Sequence, residues 1–318
     1  MTFGWYLLRR IGQAVFVVWA AFTVSFVILY LLPSDPIVTM LGAGGDGTTV
    51  DPAQVTQLRQ EYGFDRPVIV QYLTRLLAAV QGDLGNSMQG GKPVTESITA
   101  ALPETIKLAS AALLIALLLG TLIAVVAAST RSRWLRQVLL SVPPLGVAIP
   151  VFWFGLLLLQ WFSFGLPLFP ATGNKGLQSL VLPAIALAVP TAAVIAQVLA
   201  KSLSATWQQP FVETLRATGA SRFRITTRHV IRNGAIPVVT MIAIIVGSLL
   251  AGSVVTETVF SRSGVGQLTQ SAVTHQDIPM VQGVVVLSAV VFVIVNLAVD
   301  LIYPLLDPRI VTASVPAR

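Results

Sequence analysis

The chain has no cysteine and only two histidines in 318 residues. Without thiols there is no disulfide framework and no thiolate metal site. His229 and His275 fall in different loops, and no His–carboxylate cluster is spaced to hold a transition metal, so no metal site is expected. Charge is also scarce: Asp, Glu, Lys and Arg together make up 10% of residues, against 55% hydrophobic. With a mean hydropathy of +0.81, this is not the composition of an ordinary soluble domain. The formal net charge of +7 could suggest nucleic acid, but its distribution argues otherwise. Arg9 and Arg10 directly precede an apolar run over 11–32. That run is long enough to cross a bilayer, too long for a signal-peptide core, and lacks a convincing cleavage site. It reads as a retained first span.

Six blocks have the length and hydropathy of spans: 11–32, 105–128, 138–164, 177–199, 235–255 and 281–303. Their interiors also lack something. Gln13, Gln160, Gln197 and Asn296 are polar, but no Asp, Glu, Lys, Arg or His lies at a span centre. Carriers driven by protons or sodium place ionisable groups at mid-membrane depth. Energy for any transport is therefore expected to enter from outside the membrane region. With the N-terminus inside, thirteen of the 20 Lys and Arg residues lie on the inner side against three acids. The short loop holding Arg131, Arg133 and Arg136 is the most diagnostic. Both termini are thus expected on the cytoplasmic side of an all-α membrane protein, with one transmembrane domain over 1–310 and a short tail over 311–318.

Between the first two spans runs a polar segment, 33–104, expected on the outer face. Val68, Tyr72, Leu73, Leu76 and Leu77 recur in it at helical spacing and predict an amphipathic surface helix. The segment serves either as a cap over the bundle or as a dock for an external partner. Its glycine-rich tip, Asn86, Ser87, Met88, Gln89, Gly90, Gly91 and Lys92, is the candidate to reach a partner or cargo, together with Asp277 in the last outer loop over 256–280. Spans three and four carry Pro143, Pro144, Pro150, Pro183 and Pro190. Proline frees backbone carbonyls in a membrane helix, which suits a pathway that opens and closes, although membrane helices are in any case richer in proline. With Gln197, Pro143, Pro144, Pro150 and Pro190 are pathway candidates. So are Gly247, Ser248, Ala251 and Gly252 in span five, two overlapping small-xxx-small pairs whose first meaning is close helix packing.

The one long polar stretch between strongly apolar blocks is 208–237. Pro210 suits the first turn of a helix, where Phe211, Val212 and Leu215 recur on one side with Glu213 and Arg216 on the other. Gly219 suits a left-handed cap. Ser221 can then cap a second short helix carrying Phe223, Ile225 and Val230 with Arg222, Arg224 and Arg228, which Asn233, Gly234 and Pro237 stop. Two amphipathic helices joined by a glycine make a knob on a membrane protein.

The order Glu213, Ala217, Gly219, then Arg228, His229, Arg232, Asn233 and Pro237 resembles the cytoplasmic coupling loop of binding-protein-dependent ABC importers. More narrowly, the chain is similar to the first permease subunit of dipeptide and oligopeptide importers in the peptide/nickel permease family. The phrases LLPSDP from Leu31, GDLGNSMQGGKPVTESI, TETVFSRSGVGQLTQ and DLIYPLLDPRI extend the resemblance from the N-terminus to Ile310. Three positions depart from the pattern: Thr218 stands where Lys is usual, Leu215 where Ala is common, and Ser34 where Gly is usual. The resemblance implies a six-helix type I importer permease fold in a bacterial inner membrane. It also implies a second homologous permease, two cytoplasmic ATPases that bind ATP and magnesium, an external solute-binding protein, surrounding lipid, and no nucleic acid. In that reading Phe211, Glu213, Leu215, Arg216, Ala217, Gly219, Ala220, Arg222, Arg228, His229, Asn233 and Pro237 contact the ATPase.

Two glycine-rich stretches fail as nucleotide sites. Gly42, Gly44 and Gly47 form a lone GxGxxG with no preceding strand, and around Gly85 and Lys92 the spacing is wrong for a phosphate loop, with Pro93 where Ser or Thr is required. No cofactor is expected in this chain, and it is not expected to hydrolyse ATP itself. Alternatives in function are a permease for another small solute such as a nickel chelate, a self-sufficient carrier, or a non-transporting scaffold.

Overall fold

The computed structural model describes residues 3–30, 37–38 and 52–306. Among them the only extended pairing is one antiparallel bridge between Asn86 and Pro93; the rest is helix, turn and loop. In order come α1 (Phe3–Tyr30), α2 (Pro52–Glu61), α3 (Val68–Val80), α4 (Val94–Ser129), α5 (Arg133–Ala148) and α6 (Val151–Leu158), which runs on as a π-helical turn (Leu159–Gly165). Then follow α7 (Gln178–Trp207), α8 (Pro210–Ala217) and α9, a run over 222–234 with a π turn at Thr226–Val230. The chain continues with α10 (Ile236–Val259), α11 (Val265–Thr274) and α12 (Ile278–Leu306).

Among the described residues four helices are long and apolar enough to cross a membrane: Leu8–Tyr30 of α1, all of α4, all of α7, and Ile278–Ala298 of α12. Two bent pairs bring the number up to six if each is one span: α5 with Val151–Gly165, bent by 99°, and Ile236–Ile242 with Ile244–Val259, bent by 46°. The expected third span, 138–164, is thus broken rather than kinked. Pro143 and Pro144 lie inside α5 without ending it, because each lost N–H bond is local; the break falls at Ile149 and Pro150, both extended. Pro103, Pro183 and Pro190 likewise sit within continuous helices. Helix α4 starts well before the expected 105, and α7 extends past 199 to Trp207.

The chain divides into two compact units, one formed by Met1–Glu104 with Ser263–Ile294 and the other by Thr105–Arg262 with Val295–Arg318. In the second unit the core lies between α4, α7 and α10. Leu108, Ala112, Ala116 and Ala124 on α4 are buried every fourth residue, and Gly120 completes that stripe. A Cβ at Gly120 would sit 2.8 Å from the Ala192 carbonyl, so the glycine lets α7 approach to backbone contact. Gly252 on α10 plays the same part against Leu187, 2.6 Å from where its Cβ would be. Small side chains are what dispersion-driven packing in lipid requires, since apolar burial there gains nothing over the acyl chains.

In the first unit, α3 packs on α1 through Tyr72, whose ring meets Phe22 and Phe26 at 5.9 and 5.3 Å. Its hydroxyl accepts from Trp19 Nε1 at 3.0 Å and lies 2.9 Å from Thr23 Oγ1. The amphipathic helix expected around Val68, Tyr72, Leu73, Leu76 and Leu77 is present as α3, but its orientation differs from the expectation. Val68, Leu73 and Leu77 are exposed, while Gln71, Arg75 and Ala78 are half-buried. A separate cluster of Val94, Ile98, Val265, Ala272, Met280 and Val284 joins the start of α4 to α11 and α12.

Candidate functional site

The polar stretch 208–237 forms the expected two-helix arrangement, held on the core of the second unit by three residues. Val212, Ile225 and Val230 are buried to within 1% and belong to the same cluster as α4 and α7. Phe211, Leu215 and Ala220 pack at the edge of that cluster. Pro210 starts α8 as expected, and Gln209 contributes no side-chain cap. At its end Gly219 has φ +80°; its N–H donates to Arg216 O at 3.0 Å, and Ala220 N–H donates to Leu215 O at 3.1 Å. These two bonds are those of the Schellman cap. Ser221 Oγ then accepts from Arg224 N at 3.3 Å and caps α9. Gly234 is required by close approach, since a Cβ there would lie 2.7 Å from Leu203 Cδ2.

Around that anchored frame the charges face outward. Glu213, Arg216, Arg222, Arg224, Arg228 and Arg232 are all exposed, as are Ala217, Gly219, Asn233 and Pro237. Arg222 Nη2 donates to Ala128 O at 3.4 Å, in the last turn of α4, where a cation meets the negative helix end. The Arg216 and Arg222 guanidinium carbons lie 5.3 and 4.9 Å from the centre of the Trp207 ring, within cation–π range. Asn233 Nδ2 donates to His229 O at 3.0 Å, and His229 is half-buried, so this pair braces α9 itself. Phe223, expected on the apolar face with Ile225 and Val230, is instead 78% exposed. Phe223 and Ile225 lie two residues apart in one α turn, about 200° around its axis, so burying Ile225 turns Phe223 outward.

The other candidates separate. Of the pathway set, Pro143 is buried, Pro190, Gly247 and Gly252 are half-buried, and Pro144, Pro150, Gln197, Ser248 and Ala251 are exposed. Gly252 is a packing position against α7, leaving Ser248 and Ala251 on an open face of α10.

The expected partner-contact tip divides more sharply. Asn86, Gln89, Gly90, Gly91 and Lys92 are exposed, but Ser87, Met88 and Asp277 are buried at 2–3% and present no contact surface. The tip is also a pinned turn rather than a mobile loop. Ser87 N–H donates to Lys92 O at 2.8 Å, Val94 N–H donates to Gly85 O at 2.9 Å, and Gly90 and Gly91 take φ +83° and +66°. Ser87 Oγ hydrogen-bonds Asp277 Oδ2, and Asp277 Oδ1 accepts from Met280 N at 3.2 Å, capping α12. The Tyr62 hydroxyl donates to Ser87 O at 3.3 Å. Partial burial, then the nearby Glu61 and Asp277 carboxylates, raise its pKa above the ordinary phenol value, so it remains a donor.

The stretch 256–280 was expected as an outer loop, yet Thr256–Val259 completes α10 and α11 occupies Val265–Thr274. Glu257 is fully buried, accepting from Thr105 Oγ1 at 2.7 Å. Arg262, 2% exposed, donates through Nη1 to Ser179 O at 3.0 Å. Ser261 (φ 48°) and Gln276 (φ 54°) both end helices in the left-handed region, and the residue after each, Arg262 or Asp277, closes the cap and turns inward. A residue forced into that region without glycine is not visible as a cap in sequence, so these buried charges were missed.

Residues 116–312 match the family described as binding-protein-dependent transport system inner membrane component, and residues 4–109 match its N-terminal companion family. A Brucella suis protein provisionally named a peptide transport system permease protein is 33% identical over 312 residues, covering 96% of this chain and 98% of its own length. The glutathione transport system permease protein GsiC of Salmonella choleraesuis is 34% identical over 306 residues, with the same coverage. Among solved structures, a chain of the MetNI methionine ABC transporter, captured in inward-facing conformations, aligns with TM-score 0.54 at 18% identity. It covers 66% of this chain and 95% of that one, a likeness of fold.

Proposed function

The chain belongs to the binding-protein-dependent transport system inner membrane component family, and we propose that it is one permease half of an ATP-driven importer of di- or oligopeptides. It is a multi-pass inner-membrane component. The single observation that carries the coupling role is the 208–237 segment. Two short helices sit on the unit's core through Val212, Ile225 and Val230, a left-handed glycine joins them, and five arginines, one glutamate and Phe223 face outward. Such a surface transmits force because its base is part of the packed core, while its face is free to dock. The relatives named for peptide and glutathione transport support peptide cargo.

In this reading a second permease of similar fold completes the pathway, because six spans are few to enclose a peptide. Two cytoplasmic ATPases bind ATP and magnesium and dock on the segment, both termini lie on that side, and an external solute-binding protein delivers cargo. ATP and substrate then each bias one two-state assembly. Reconstitution in liposomes tests this. Uptake of a labelled dipeptide should require this chain, its partner permease, both ATPases, the binding protein and internal ATP. Uptake by this chain alone on an imposed proton or sodium gradient would overturn it.

A further inference from the structure

Helix α3 turns its apolar side out and its polar side in. Of its exposed residues only Thr74 is polar, and no residue of the helix is fully buried. Ile69, Leu73, Leu77 and Val80 recur at helical spacing and are 51–80% exposed. The polar groups are met inside the first unit: Gln71 Nε2 donates to Arg66 O at 2.7 Å, and Arg75 Nη2 to Tyr62 O at 3.0 Å. A helix bathed in water has the opposite arrangement, with its apolar stripe against the protein.

What lies beside that stripe follows from α1. The membrane-crossing part of α1 is Leu8–Tyr30, with Trp19 eleven residues from either end. At about 1.5 Å per residue, Trp19 is about 16 Å from Tyr30 along the axis and Thr23 about 10 Å. The Phe64 ring stacks on Tyr30 at 5.5 Å, so the chain enters α3 at the Tyr30 end of the span. Tyr72 then lies against Phe26 and Phe22, and its hydroxyl meets Trp19 Nε1 at 3.0 Å and Thr23 Oγ1 at 2.9 Å. The helix therefore runs beside the Tyr30 half of α1, at hydrocarbon depth. Trp19 is itself exposed, with the exposed Phe16 ring 5.7 Å away, so the lipid-facing surface of α1 borders Tyr72. At 13 residues α3 is about 20 Å long, too short to cross the bilayer and of the length of an interfacial segment. Asp65 and Arg66 precede it and Asp83 follows, as expected where both ends return to the headgroups.

We propose that α3 is an interfacial membrane helix, seated beside α1 with Ile69, Leu73, Leu77 and Val80 among the acyl chains of the leaflet at the Tyr30 end. The seat also fixes the turn over 86–92 relative to the lipid, because α3 carries Arg75 against the start of that turn. A Cβ at Gly85 would lie 2.6 Å from Arg75 Nη1. The inference needs only that α1 crosses the membrane; it uses neither the cargo nor the coupling role.

The absence of cysteine makes the test direct. Ile69→Cys, Leu73→Cys, Leu77→Cys and Val80→Cys are each spin-labelled on the full chain in phosphatidylethanolamine–phosphatidylglycerol vesicles. Gln89→Cys, on the exposed tip, is the aqueous reference. Power saturation compares oxygen, which concentrates among acyl chains, with chromium oxalate supplied on both sides of the membrane. The oxygen-to-chromium accessibility ratio at the four α3 positions should be severalfold above that at Gln89→Cys. A lipid-soluble carbene reagent should also label Val68–Val80 in the unmodified chain, which serves if the cysteine variants fail to fold. Ratios on α3 equal to the Gln89→Cys value would put the helix in water. Low accessibility to both reagents, with no carbene labelling, would put it against a second copy or another protein. Either result overturns the proposal.

Discussion

The 208–237 segment and the tip over 86–92 are both polar, both glycine-containing and both interrupted by turns, yet they are held in opposite ways. In the first, apolar residues go in and charges stay out: Val212, Ile225 and Val230 are buried while Glu213 and the arginines are exposed. In the second, polar atoms are the anchor, since Ser87 and Asp277 are buried against each other and the glycines stay out. An apolar anchor tolerates small changes of angle, because dispersion contacts are many and non-directional. A buried carboxylate fixes one geometry and exacts a penalty when any partner leaves. The first arrangement suits a surface that must move with a partner; the second suits a rigid rim.

The largest break in this contrast is at Gly219. Proline cannot adopt φ +80° and lacks the N–H that bonds Arg216 O. Gly219→Pro should leave the chain inserted at normal levels, allow ATP hydrolysis to continue, and reduce uptake to background. Gly219→Ala keeps the N–H and costs about 1–2 kcal/mol locally, so partial uptake is expected. Normal uptake by the proline variant, at normal membrane levels, would show that the cap has no part in transmission.

The rigid rim breaks at Asp277. Asp277→Ala removes the cap on Met280 N and leaves Ser87 Oγ only its bonds to Gln89, with an expected loss of about 1–3 kcal/mol on unfolding the purified chain in detergent. Asp277→Asn keeps one acceptor and should lose less. An alanine variant as stable as wild type would mean that the turn's backbone bonds suffice on their own.

These two regions also mark where sequence was informative. The α8–Gly219–α9 arrangement is legible because each signal is local: Pro210 at a first turn, glycine at the cap, Ser221 at an N-cap, apolar residues at helical spacing. Phe223 lies two residues before Ile225, on the opposite side of the same α turn, and the π turn at Thr226–Val230 that carries Val230 inward has no local sequence signal. The six membrane blocks are legible from length and hydropathy, but the 99° break at Pro150 is not, since Pro143 and Pro144 are equal candidates and do not break the helix. Glu257, Arg262 and Asp277 looked like loop charges. Their burial depends on partners far along the chain, Thr105, Ser179 and Ser87, which no local pattern encodes.

A smaller effect sharpens the apolar side. Val212→Ala removes two buried methyl groups' worth of contact at a site 1% exposed, and should cost about 1–2 kcal/mol. Phe223→Ser, at 78% exposure, should leave the unfolding midpoint unchanged and lower retention of the ATPases. Equal destabilisation by both would contradict the division between an anchored base and a docking face.

The smallest stability effect is expected at Glu213. It lies in the first turn of α8, whose N-cap Gln209 supplies no side-chain bond, so its carboxylate favours the positive helix end by about 0.3–1 kcal/mol. It is exposed and makes no ion pair among the described residues, although Arg216 lies on the same short helix. A lone carboxylate on a face of arginines is available to a cation across an interface. Glu213→Gln should therefore shift stability by no more than the helix-end contribution, yet release the ATPases at lower salt than wild type in a pull-down. The gap should narrow as salt rises, because exposed pairs are screened over about 8–10 Å. Charge reversal on the ATPase side should restore retention to a Glu213→Lys variant. Equal retention of wild type and Glu213→Gln at every salt concentration would reduce Glu213 to a helix-end charge and leave docking to the arginines and Phe223.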